Sequence, residues 1–158
     1  MLNHTLKKMF LVIVMSVFTI SVHAADWTMA SGYPKSNFHT QNIMKFIDEV
    51  KANTSVNINL NENDTLIKID AIKTALQRGQ IPIGEIRLGI YGNEDPMYIL
   101  AGLPFIAPDY SSAWLLKDVQ MGYLQEKFGK KGLMILYTSP WPGQGFYTKT
   151  PVNSVADF

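Results

Sequence analysis

The order of periodicities along the chain limits its fold more than any other feature. DWTMASG (residues 26–32) reads as a strand that ends at a Gly32-Tyr33-Pro34 turn. From Asn37 onward, Ile43, Phe46, Ile47 and Val50 recur at helical spacing, with Lys45, Asp48, Glu49 and Lys51 between them. SVNINLN (55–61) alternates apolar and polar residues, as a strand does. Asn63-Asp64-Thr65 is expected to cap a helix with an apolar stripe of Leu66, Ile69, Ile72 and Leu76, stopped at Gly79. A third strand follows in IPIGEIRLGI (81–90). Strands that alternate with helices pair in parallel, because a parallel return needs a crossover long enough to hold a helix. The fold class expected is therefore α/β, a parallel sheet wrapped by helices.

That third strand contains charges where its apolar residues demand burial. Ile81, Ile83, Ile86, Leu88 and Ile90 point to an interior, yet Glu85 and Arg87 lie among them, on one face if the strand is regular. An unpaired buried charge costs several kcal/mol or more. Three arrangements meet the requirement: an internal Glu85–Arg87 pair, an edge strand with both in water, or an arginine fork offered to a ligand carboxylate. Ligands of open α/β sheets sit beyond the carboxyl ends of the strands, which is where Arg87 falls. All three remain open on the residues alone.

Residues 1–24 are set apart from the fold. Lys7 and Lys8 precede an apolar run from Met9 to Ile20, and Val22-His23-Ala24 fits a signal-peptidase site, so a mature chain is expected to begin at Ala25. About twelve apolar residues fall short of the ~20 that span a bilayer. A periplasmic location is expected. The chain has no cysteine, which removes disulfides, thiolate nucleophiles and thiolate metal sites. Setting the leader aside turns fourteen bases against thirteen acids into twelve against thirteen, a net charge of −1. No basic surplus remains for phosphates, so no nucleic-acid partner is expected.

After residue 90 come a loop (91–96), a short helical turn and the proline-punctuated GLPFIAPDY. A helix is expected over 111–128 with Trp114, Leu115, Val119 and Tyr123 as its apolar side. LMILYTS (133–139) and GQGFYTK (143–149) read as strands separated by Pro140-Trp141-Pro142. Ser154 with Asp157 three residues later reads as a helix start, so the chain is expected to be the N-terminal piece of something longer.

Catalysis finds little material. His39 is the only imidazole outside the leader, and it is expected to be a surface or capping residue. There is no G-x-S-x-G elbow and no H-E-x-x-H spacing. Gly84 to Gly89 lacks the Lys-Ser/Thr of a phosphate loop, and Gly143-Gln144-Gly145 does not continue as a dinucleotide fingerprint. No enzyme, catalytic residue, metal or cofactor is expected. What remains is the charged strand and aromatics at loop positions: Tyr91, Trp141, Phe146 and Tyr147.

Taken in order, the exported leader, DTLIKIDAIKTALQRGQI feeding a buried strand, LPFIAPDYSSA, and KKGLMILYTSPWPGQGFYTKTPVNSVADF resemble a known family. It is the substrate-binding subunits of tripartite ATP-independent periplasmic (TRAP) transporters, DctP-like. The resemblance implies a periplasmic-binding-protein-like two-lobe architecture, here most of lobe one (25–139) and a crossover into lobe two (140–158). It implies a monomer that captures a small organic acid and delivers it to TRAP permease subunits. The alternative is a ligand-sensing module for a membrane receptor. By matching to the family, Arg87 stands at a ligand position near the end of its strand. Gln144 stands where many members carry an arginine, which argues against a doubly charged ligand. Glu85 is expected to orient Arg87 from behind. Trp141, Tyr91 and Phe38 are expected to add apolar or stacking walls, favouring an aromatic or hydrophobic monocarboxylate. Packing at a hinge between its two prolines is an equal role for Trp141. The family's principal arginine clamp lies in a segment that is absent from this sequence.

Overall fold

The computed structural model describes residues 25–145 and 147–157; the expected leader lies outside the described residues. Strand β1 (Ala25–Ala30) runs parallel to β2 (Val56–Asn61) on one side, with Ala25 opposite Val56 and Ala30 opposite Asn61. On its other side β1 pairs in parallel with β3 (Ile83–Gly84), Met29 opposite Ile83 and Ala30 opposite Gly84. The strand order β2-β1-β3 makes β1 central.

Alternation along β1 decides what packs on each face. Met29 joins Ile43, Ile58 and Ile83 in one buried cluster, with Phe46, Ile47 and Val50 of helix α1 (Phe38–Asn53) against it. Ala30 points the other way and joins Ile72, Ala75 and Ile81, covered by helix α2 (Ile72–Gln77). The sheet is thus helix-covered on both faces, as the sequence order requires. The ends of α1 and α2 follow from their caps. The Asn37 side chain accepts from the His39 N–H at 2.8 Å, and Thr54 closes α1 through its N–H on the Val50 carbonyl. Gly79 stops α2 with φ +66°, a left-handed value that favours glycine.

Four expectations need correction. The helix expected from residue 63 begins only at Ile72. Asn63 and Asp64 adopt positive φ, and the Asp64 carboxylate accepts from the Ile69 N–H at 2.8 Å, which closes a loop rather than a helical turn. The third strand is two residues long rather than ten, because the chain turns into a 3-10 segment at Leu88–Tyr91, started by the Ile90 N–H on the Arg87 carbonyl.

Helix α3 (Tyr110–Gly129) is present but buries Gln120, Leu124 and Phe128, leaving Trp114, Leu115 and Val119 exposed. Polar bonds to the preceding loop set that rotation. Gln120 donates to the Met97 carbonyl at 3.0 Å, and the Tyr123 hydroxyl donates to Asp95 at 2.6 Å.

Lastly, 133–139 and the described part of 143–149 form no ladder. The short β3 leaves almost no edge for a fourth strand. Residues 133–136 keep a strand's alternation all the same: Leu133 and Ile135 pack inward beside Tyr91, Tyr98, Leu124 and Phe128, while Met134 and Leu136 face out.

Ile72 is fully buried between α2 and the sheet. Ile72→Ala is expected to lower stability by about 2–5 kcal/mol, read from the midpoint of urea unfolding at unchanged slope. A loss below ~1 kcal/mol would show that this cluster closes over the missing methyls.

Candidate functional site

Three parallel strands end at one edge of the sheet, so the loops after Ala30, Asn61 and Gly84 gather there. The chain runs from β1 outward to β2 and then jumps back across β1 to β3, with α1 and α2 on opposite faces. The ends of β1 and β3 therefore flank the switch point of the topology, the position where open α/β sheets bind ligands. Ser31 and Glu85 are the first residues past the strands on its two banks. The Ser31 N–H donates to the Asn61 carbonyl and the Glu85 N–H to the Ala30 carbonyl, both at 2.9 Å, which extends the ladder to the floor of the switch point.

Across that floor the fully buried Ser31 hydroxyl donates to Glu85 Oε2 at 2.5 Å. Burial pushes the Glu85 carboxyl above its ordinary value, and the Ser31 hydrogen bond offsets part of that. Gly32 follows; a side chain there would overlap Ile69, so only glycine lets the loop lie this close. Tyr33 comes next, its carbonyl held by the Thr40 hydroxyl at 3.1 Å and the Asn63 N–H at 2.9 Å. Its own hydroxyl is buried without a hydrogen-bond partner among the described residues. Burial raises the Tyr33 pKa, the Glu85 charge adds to the rise, and the Arg87 charge opposes it.

An aromatic wall stands on this loop. His39, 4% exposed, lies 4.1 Å from the Phe38 ring, 4.6 Å from Trp141 and 5.5 Å from Tyr33. Trp141 meets Phe38 edge-on at 5.5 Å and Tyr33 at 5.4 Å. Burial lowers the His39 pKa, and its Nε2 is buried without a partner among the described residues. Tyr137 approaches from the segment before Trp141. Its pKa is raised by burial and then by the Glu85 charge, and its ring packs on Phe46 at 5.4 Å.

Of the residues singled out from the sequence, Glu85, Phe38 and Trp141 come together here, with Arg87 at the rim. The expected Glu85–Arg87 partnership does not form. Arg87 is exposed and in no ion pair among the described residues, because the chain has left the ladder and strand alternation no longer applies. Tyr91 is elsewhere, in the interior: its hydroxyl donates to the Ile69 and Asp70 carbonyls and its ring lies 3.9 Å from Lys73 Nζ. Gln144 is exposed and donates to the Pro142 carbonyl of its own loop. Tyr147 is almost wholly exposed, and Phe146 lies outside the described residues. His39 is no cap or surface residue, since Asn37 takes the cap. Ser31, Tyr33 and His39 are the members that sequence reasoning missed. Applying the carboxyl-end rule to β1 as well as β3 would have found the Ser31-Gly32-Tyr33 loop.

The raised Glu85 pKa fixes a pH dependence. A carboxyl that binds its proton more tightly folded than unfolded contributes stability below its unfolded pKa, and loses it as pH rises through the folded value. Glu85→Gln keeps an acceptor for Ser31 without the charge. It is expected to raise the thermal midpoint at pH 8, with the gain shrinking as the pH falls to 4. A variant that melts lower at pH 8 would contradict a desolvated carboxylate.

No family model matches the chain, and no curated protein does. Solved structures do. DctP6 of Bordetella pertussis, an extracytoplasmic solute receptor described as binding pyroglutamic acid, is 38% identical, with a TM-score of 0.73 over 75% of this chain and 40% of its own. DctP7 of the same organism, likewise described, is 38% identical, with a TM-score of 0.79 over 85% of this chain and 45% of its own. A TRAP solute binding protein from a marine metagenome, described as specific for pyroglutamate, is 36% identical, with a TM-score of 0.79 over the same shares. The chain spans less than half the length of each. Over that span, the chain is similar in sequence and fold to DctP-like TRAP extracytoplasmic solute receptors.

Proposed function

We propose that this chain forms the first lobe of a periplasmic receptor that captures a small cyclic organic acid, of which pyroglutamate is the first to test. In this reading residues 25–139 make up most of that lobe and 140–158 enter a second. The receptor hands its ligand to TRAP permease subunits and performs no catalysis. The observation that carries the reading is the set of groups past the ends of β1 and β3: the Ser31–Glu85 bond, the packed rings of Phe38, His39 and Trp141, and two buried polar atoms, Tyr33 Oη and His39 Nε2, without partners among the described residues. Three receptors of 36–38% identity are described as pyroglutamate binders, which supports the choice of acid. Exposed Phe38 and Trp141 suit an apolar or flat ligand face, and Arg87, exposed and in no ion pair among the described residues, suits a carboxylate. The pattern of residues 1–24 supports export to the periplasm.

Binding stabilises the folded state by mass action. At a hundredfold excess over Kd the gain is about 2.7 kcal/mol, a rise in melting temperature on the order of 10 °C for a chain of this size. Thermal melts across a panel of organic acids check this, and a flat response to all of them overturns the reading. Arg87→Ala is expected to weaken binding by about 1.5–3 kcal/mol, roughly 10- to 150-fold in Kd by calorimetry. Unchanged affinity would remove Arg87 from the contact.

A further inference from the structure

His39 joins three parts of the chain that the backbone leaves separate. Its buried ring contacts Tyr33 of the loop after β1, Phe38 at the start of α1, and Trp141 between its two prolines. The segment that carries Trp141 has no strand ladder of its own, so side chains hold it to the lobe. Besides the imidazole contact, Trp141 meets Phe38 and Tyr33, Tyr137 packs on Phe46, and Asn42 of α1 donates to the Ser139 hydroxyl at 3.5 Å.

The surroundings of the ring accept a neutral imidazole and oppose a charged one. His39 is in no ion pair, and its Nε2 has no hydrogen-bond partner, among the described residues. It sits in the first turn of α1, which holds no acid and where the helix dipole disfavours a cation. The loop after β1 brings the Tyr33 phenol and exposed Lys35, and Pro140-Trp141-Pro142 brings no titratable group. Tyr137 lies further back on that segment. Past the strand ends, Glu85 and Arg87 act on Tyr33 with opposite signs, and Ser31 already engages one Glu85 oxygen. Burial is what lowers the His39 pKa. The aromatic faces repay part of a positive charge, but less than its unpaired burial costs.

We propose that His39 is a proton-operated latch. Uncharged, it packs among the three rings and fastens residues 137–142 to α1; protonated, it leaves the cluster for water and that segment loosens. The inference concerns the chain without a ligand, so it does not rest on the organic-acid reading. A histidine that binds its proton less tightly folded than unfolded contributes stability above its unfolded pKa and loses it as the pH falls. Glu85 acts in the opposite direction, so melting curves alone do not separate the two.

Proton NMR of the unliganded full chain from pH 8 to pH 5 tests the latch. His4→Gln and His23→Gln leave His39 as the one imidazole, and loss of a signal in Trp141→Phe identifies the Trp141 indole. The His39 ring and the Trp141 indole N–H are expected to follow one titration curve with a midpoint below the ordinary 6.5. Far-UV circular dichroism is expected to stay constant through it. In His39→Phe, which packs without a charge, the indole is expected to stay fixed; should that variant fail to fold, the native curves decide. An indole that stays fixed while His39 titrates would overturn the inference, as would one that moves equally in His39→Phe. A His39 midpoint at or above 6.5, or unfolding of the whole lobe in the same step, would overturn it too.

Discussion

The parallel pairing of β1 on both of its edges is the constraint on which the rest of the structure depends. A central strand satisfies its backbone N–H and C=O groups on both sides, and neither face can be left to water. Met29 and Ala30 accordingly bring α1 to one face and α2 to the other. Parallel direction sends all the strand ends to one edge, and central placement makes the chain reverse its order there. The meeting of Ser31 and Glu85 past the strand ends is a consequence of that topology.

A second network holds the chain where the sheet gives out. Lys73 is almost fully buried on α2, which is tolerable only because Glu94 pairs with it and the Tyr91 ring lies beneath its ammonium. Glu94 also binds Lys131 at 2.6 Å, so one exposed-loop acid joins α2 to the end of α3. Its neighbour Asp95 caps the following 3-10 turn through the Met97 N–H and takes the Tyr123 hydroxyl and Lys127. These donors, Tyr123 foremost, hold its carboxyl down at about 2. The acids of the loop after β3 thus replace the backbone pairing that a longer third strand would have provided. They also account for the rotation of α3, whose inward face is selected by polar bonds rather than by its most apolar stripe.

The sequence made the frame of the fold legible, and the reasons it hid the rest are physical. The order of β1, α1, β2, α2 and β3 followed from periodicity, and Asn37 and Gly79 marked real ends. Periodicity failed where tertiary bonds overrode it: in α3, at residues 63–71, and along 133–139, where alternation survives without a ladder. Hydropathy alone could not tell a strand of ten residues from two followed by a 3-10 turn, because Leu88 and Ile90 are partly buried in either case. At the site, Glu85 was legible as a charge awkward to place in a core and Trp141 as an aromatic at a loop position, while Phe38 entered only through the family resemblance. Tyr91 carries the same signal but is satisfied by carbonyls of the 69–70 turn, a partner no local pattern announces. His39 was misread because a helix start suggests a cap, whereas the three rings that bury it arrive from positions 33, 38 and 141.

The missed residues also carry an energetic argument about the site. A buried hydroxyl or imidazole nitrogen without a partner costs about 1–3 kcal/mol, and two such atoms lie within one aromatic cluster here. Total stabilities are only about 5–15 kcal/mol, so that cost is a sizeable fraction of what holds a domain of this size together. Substituting phenylalanine for Tyr33 would remove one orphan at almost no change in shape, and a hydrophobic residue at 85 would spare a desolvated carboxylate. These groups lie together past the ends of β1 and β3, where the parallel topology brings the loops of the sheet to one edge. The rings around them keep water away, which raises the cost of each hydrogen bond left unmade.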